Sequence, residues 1–162
     1  MTGFSRRQWL RGQFRAQVLP RPPWAVDEEV FVQRCTRCRR CIDACPEGVL
    51  TPGQGGFPEL RPVDGGCTFC GRCAEACPEQ ALDAARQPPM AQVVRISAGC
   101  LALSGVECRS CAEQCEAGSL RFRLVAGAVA RPELDPSSCS GCGACLAVCP
   151  VGALQWQARE AA

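Results

Sequence analysis

The sequence contains no histidine and no tyrosine. The first absence excludes histidine metal sites, histidine general bases and Ser-His or Cys-His nucleophilic pairs. The second excludes tyrosine-nucleophile chemistry. Long apolar runs are missing too, and none approaches the ~20 residues that a membrane helix needs. Nor does one sign of charge prevail. Eighteen Lys and Arg against 16 Asp and Glu give a formal +2, which makes no case for nucleic acid. A length of 162 residues allows one domain or two very small ones.

What is abundant is cysteine. There are 16 in 162 residues, a density that signals a covalent or metal framework. A small chain with many short loops buries too little apolar surface to hold itself and needs staples. The cysteines fall into four quartets: Cys35, Cys38, Cys41, Cys45; Cys67, Cys70, Cys73, Cys77; Cys100, Cys108, Cys111, Cys115; and Cys139, Cys142, Cys145, Cys149. Three of the four have the spacing C-x2-C-x2-C-x3-C-P.

That spacing has a geometric reason. Three thiolates on a tight loop converge on one face of a cube-shaped [4Fe–4S] cluster, and the fourth points away to reach a neighbouring cluster. The third and fourth cysteines, four residues apart, share one face of a helical turn. Gly71, Gly141 and Gly143 lie among the ligands and let backbone N–H groups approach the sulfurs. Such hydrogen bonds help set the reduction potential. Structural zinc instead wants two cysteine pairs a dozen or more residues apart. Cysteines three apart on a loop pair poorly as disulfides, and no secretory signal is evident. Matched groups of four do not suit a reactive-thiol enzyme.

The motif crosses the ligands between quartets. Cys35, Cys38 and Cys41 go with Cys77, and Cys67, Cys70 and Cys73 with Cys45. Cys100, Cys108 and Cys111 go with Cys149, and Cys139, Cys142 and Cys145 with Cys115. Four clusters are expected, and at least three. Each core with its four thiolates carries −2, so the loaded chain stands near −6 rather than +2. The third quartet is irregular. Seven residues separate Cys100 from Cys108, and Glu116 stands where the others have proline. A harmless loop insertion and a labile cluster are both open readings, which leaves Cys100, Cys108, Cys111 and Cys115 the less settled ligand set.

The chain divides into an Arg- and Pro-rich arm (1–30), a first module (31–87), a linker (88–94) and a second module (95–162). An internal repeat links the modules, because a leucine follows each fourth cysteine by five residues: Leu50, Leu82, Leu120 and Leu154. Pro58-Glu59-Leu60 before Cys67 is echoed by Pro132-Glu133-Leu134 before Cys139. Leu120–Val125 and Ala91–Ile96 read as strands, and 5–17 as a short basic helix. The expected fold class is α+β, with two tandem modules of short strands and helices around paired clusters. Arg37, Arg39 and Arg40 lie between the first ligands, whereas the Cys139–Cys145 loop carries no charge. Positive charge favours the reduced state, so the Cys35 cluster is expected to titrate higher than the Cys139 cluster.

From residue 31 to 160 the quartets resemble a duplicated bacterial two-cluster ferredoxin. The likeness narrows with Ser5-Arg6-Arg7, Arg21-Pro22-Pro23-Trp24, Cys35-Thr36-Arg37-Cys38, Cys100-Leu101-Ala102, Val106-Glu107-Cys108-Arg109 and Cys115-Glu116. Together these resemble the NapF family, ferredoxin-type proteins of periplasmic nitrate reductase operons. The irregular third quartet is part of that resemblance. The resemblance implies a cytoplasmic, non-enzymatic electron-transfer protein that contacts the precursor of the nitrate reductase catalytic subunit and assists its maturation before export. An electron-transfer subunit of a respiratory oxidoreductase complex is the alternative. Ser5–Leu10 also looks like a twin-arginine export signal, but Arg11, Gln13, Arg15 and Gln17 interrupt the apolar stretch such a signal needs.

Overall fold

The computed structural model describes residues 20–85 and 92–159. The first half contains α1 (Glu28–Arg34), α2 (Arg40–Asp43), β1 (Leu50–Pro52), β2 (Pro58–Leu60) and α3 (Arg72–Glu75). The second contains β3 (Gln92–Ile96), α4 (Ser110–Glu113), β4 (Leu120–Val125), β5 (Ala128–Leu134), α5 (Ala144–Ala147) and β6 (Leu154–Ala158). The strands form antiparallel pairs β1–β2, β4–β5 and β3–β6. The fold is α+β. The basic helix expected at 5–17 lies outside the described residues.

The sequence repeat becomes a structural repeat through its leucines. Leu50 faces Leu60, and Leu120 faces Leu134. Each Pro-Glu-Leu echo is thus the strand partner of the leucine that follows a fourth cysteine. Leu154 faces Ile96 across β3–β6, and Leu82 bridges Ala25. All four repeat leucines are buried. A shared turn aims them inward. The third residue after each fourth cysteine (Gly48, Gln80, Gly118 or Gly152) donates its N–H back to that cysteine's carbonyl. Its φ is positive every time, between 51° and 62°. Glycine takes this left-handed conformation without steric cost, so it occupies three of the four turns.

The two halves close differently. In the second, β3 and β6 pair over five residues. In the first, the equivalent pairing shrinks to the Ala25–Leu82 bridge, flanked by Val26 N–H to Ala81 O at 3.1 Å and Asp83 N–H to Trp24 O at 2.8 Å. Residues 20–30, assigned to the arm by composition, therefore pack into the first module. Trp24 and Phe31 are core residues there. Arg21 is buried as well, with a bidentate pair to Glu28 (3.0 and 2.7 Å) and its guanidinium over the rings of Phe31 and Phe57. Stacking and a bidentate carboxylate are what let an arginine enter a core. Composition alone reads the same arginine and prolines as a solvated tail. Likewise Gln92–Val94, placed in the linker, begin β3, where Val93 and Val94 are buried.

Two apolar cores result. One gathers Trp24, Phe31, Val49, Leu50, Leu60 and Leu82; the other gathers Val93, Val94, Leu120 and Leu154. Trp156 on β6 packs against both.

Candidate iron–sulfur centres

Each third cysteine sits on a one-turn helix: Cys41 on α2, Cys73 on α3, Cys111 on α4 and Cys145 on α5. Three of the four preceding loops are coiled by left-handed residues at matching places. Arg37 and Arg39, Phe69 and Gly71, and Gly141 and Gly143 all have positive φ. That coiling turns backbone N–H groups toward the sulfurs. The N–H groups of Arg37 and Phe69 bond the Cys35 and Cys67 sulfurs. Ala153 donates to Cys149 Sγ at 3.2 Å.

The structure brings cysteines from different quartets together. Cys35, Cys38, Cys41 and Cys77 line one pocket. Cys45, Cys67, Cys70 and Cys73 line another. Cys100, Cys108, Cys111 and Cys149 line a third. Cys145 has Cys142, Cys139, Cys115 and, from the neighbouring group, Cys111 as charge neighbours. Among the described residues, no group of three His, Cys, Asp or Glu side chains is placed to hold a single metal ion. Four thiols around one pocket, with N–H donors at the sulfurs, are the donor set of a [4Fe–4S] cube.

Burial and mutual repulsion act on the inner thiols. Burial pushes Cys41, Cys67 and Cys111 up to about 11, and Cys73 and Cys145 up to about 12, with neighbouring cysteine charges adding to the effect. Cys115 goes the other way. Burial raises its pKa, but the Ser119 hydroxyl and the N–H groups of Leu120, Ser119 and Gly118 outweigh that and lower it.

Ser119 is a residue that the sequence reading missed. It is buried, and its Oγ lies 3.2 Å from Cys115 Sγ. The corresponding positions after the other fourth cysteines hold Val49, Ala81 and Ala153. The signal was there as one hydroxyl among four aligned turns. A hydroxyl donating to a ligand sulfur stabilises added negative charge and raises the cluster's potential. Ser119→Ala is expected to lower the potential of one centre with the iron content unchanged. A redox titration followed by EPR checks this, and superimposable curves would refute it.

The expected order of potentials loses its basis for a related reason. The Cys139–Cys145 loop has no charge of its own, but Arg159 donates to the carbonyls of Cys139 and Pro136. With Ser119 beside Cys115, that site is not the unassisted one. The narrower expectation stands. Arg37, Arg39 and Arg40 are exposed around the Cys35 loop. Neutralising all three to Gln is expected to lower that centre's potential, and an unchanged titration would count against it.

The third quartet is irregular in backbone as well as in spacing. Arg109 has φ −133°, so the left-handed coiling of the other three loops is absent between Cys108 and Cys111. The inserted residues form their own turn. Ser104 donates to Cys100 O, Val106 N–H bonds Leu101 O, and Ala102 is buried. The longer loop costs more entropy to close than a two-residue spacing. The cluster there is expected to be lost first in air. Counting iron against time after oxygen exposure tests this in the parent chain, Cys100→Ser and Cys35→Ser. A fast-lost fraction that survives Cys100→Ser and vanishes in Cys35→Ser places the weak site in the first half.

Comparison with known proteins agrees with this geometry. The 4Fe-4S dicluster domain family matches residues 34–100 and 106–153, so the fold and its cysteine sites define an iron–sulfur protein of the dicluster ferredoxin type. The ferredoxin-type protein NapF of Haemophilus influenzae is 46% identical over 161 residues, covering 92% of this chain and 91% of its own. NapF of Escherichia coli K12 is 41% identical, with 93% and 92% covered. The methylamine utilization ferredoxin-type protein MauM of Methylophilus methylotrophus is more distant, at 32% identity over 83% of this chain and 68% of its own. The chain belongs to the NapF family of ferredoxin-type proteins.

Proposed function

We propose that the chain carries four [4Fe–4S] clusters ligated crosswise between neighbouring quartets, as the motif prescribes. All sixteen cysteines are then ligands. On this reading it turns over no substrate of its own and works by one-electron transfer. Its partner is the catalytic subunit of a periplasmic nitrate reductase, met in the cytoplasm as a precursor and assisted toward maturity before export. The observation that carries this reading is the match to NapF proteins over more than nine-tenths of the chain. That match takes in the irregular third quartet as well as the regular three. Among the described residues no helix is long and apolar enough to cross a membrane.

The clusters supply one-electron storage; the protein places and tunes them. Its loops fix the thiolates, its backbone N–H groups and the Ser119 hydroxyl stabilise charge on sulfur, and its leucine cores hold the loops in register. The test is an anaerobic pulldown of the tagged, iron-loaded chain against precursor and mature catalytic subunit. Capture of the precursor alone is the expected result. Capture of the mature enzyme, or copurification with membranes, would instead establish the respiratory electron-transfer subunit.

A further inference from the structure

The two modules meet at their cysteine loops. The N–H of Cys67 donates to the carbonyl of Cys142 at 2.9 Å, a backbone bond from one module to the other. The residues beside it are in tight contact. A Cβ on Gly66 would stand 2.7 Å from the Cβ of Ala144 and 2.9 Å from its backbone nitrogen. A Cβ on Gly143 would stand 2.5 Å from Pro62 and 3.0 Å from the Trp156 ring. Cβ atoms essentially never come closer than 3.0 Å, so a side chain at Gly66 or Gly143 would have to displace the facing chain. Trp156 spans the seam, packing against both cores. Gln92 adds a second tie between the halves, donating from Nε2 to the carbonyl of Arg21.

Within each module the inner helices are also neighbours. α2, which carries Cys41, packs on α3, which carries Cys73. α4 with Cys111 packs on α5 with Cys145 in the same way. We propose that the Cys67–Cys142 contact joins the two inner sites, so that the four sites form one row across the whole chain. This rests on the crosswise ligation proposed above. The order is the Cys35 site, the Cys67 site, the Cys139 site and the Cys100 site. With clusters bound, the row would carry one electron from a donor at one end to a one-electron acceptor at the other, and the seam would be its middle step. The two ends differ in chemistry. Exposed Arg34, Arg37, Arg39 and Arg40 surround the Cys35 site, whereas exposed Leu103, Val106 and Val151 lie by the Cys100 site.

The test separates inner from outer pairs in the full-length chain. Cys35→Ser with Cys100→Ser leaves the inner pair, and Cys67→Ser with Cys139→Ser leaves the outer pair. Iron is counted first. A parent chain that binds well under about sixteen irons refutes the ligation reading and not the seam. After full reduction, the inner-pair protein is expected to show EPR signals split by spin–spin interaction. The outer-pair protein is expected to show two isolated centres. Unsplit signals from an inner-pair protein that retains its iron would overturn the proposal. Should those variants fail to hold iron, hydrogen exchange on the unsubstituted, iron-loaded chain decides. The Cys67 amide is expected to be protected, and complete exchange within seconds would overturn the seam.

Discussion

Stripping the iron is expected to unfold the chain. Each module spans fewer than about 70 residues, a size at which one apolar core supplies only about 3–5 kcal/mol. The cores here are thin, and the helices that carry the third cysteines are single turns of four residues. A helix that short has no stability of its own. Without metal, the thiols that line three pockets have no group to draw them together. Ligand binding to the native state alone is folding free energy, so removing it removes the fold. Circular dichroism during anaerobic chelation checks this. A metal-free chain with a native spectrum and a cooperative melt would refute it. The sign of the pH effect on reloading follows from the thiols. The metal-free chain is unfolded on this account, so its thiols take the ordinary value of about 8.5 and are mostly protonated at neutral pH. Ligation needs thiolates and releases those protons. Cluster uptake is therefore expected to strengthen as pH rises from 7 toward 9, and uptake independent of pH would contradict it.

Replacing Cys77 by serine is expected to cost the first site and spare the second, although Cys77 belongs to the second quartet. Cys77 lines the cavity of Cys35, Cys38 and Cys41. Cys45 lines that of Cys67, Cys70 and Cys73. Loss of about four irons per chain is expected, the content of one cluster. The vanished EPR component identifies the site. In Cys77→Ser it is expected to be the component lost in Cys35→Ser. If it is instead the one lost in Cys70→Ser, each quartet closes on itself and the crosswise arrangement is wrong.

The cysteine spacing was legible because it is local. Two residues between ligands fix how a loop must coil, and that constraint is written in consecutive positions such as Cys139 to Cys145. The leucine repeat and the Pro-Glu-Leu echo were legible for the same reason, and the structure makes them partners in β1–β2 and β4–β5. The α+β class and the strand Leu120–Val125 follow from periodicity over a few residues. Arg21 was misplaced in an arm because its burial depends on Glu28, Phe57 and Pro58, and Trp24 because it packs edge-on against Phe69, none of which composition brings near. Ser119 went unnoticed because a hydroxyl carries meaning only when a sulfur lies within reach of it. Arg159 altered the expected charge contrast from twenty residues away along the chain. Spacing alone thus marked four cysteine quartets, and the residues around them carried the family resemblance. Only the tertiary structure decided that the modules meet at Cys67 and Cys142, because that contact pairs backbone groups and glycines far apart in the sequence, and no side-chain pattern marks it.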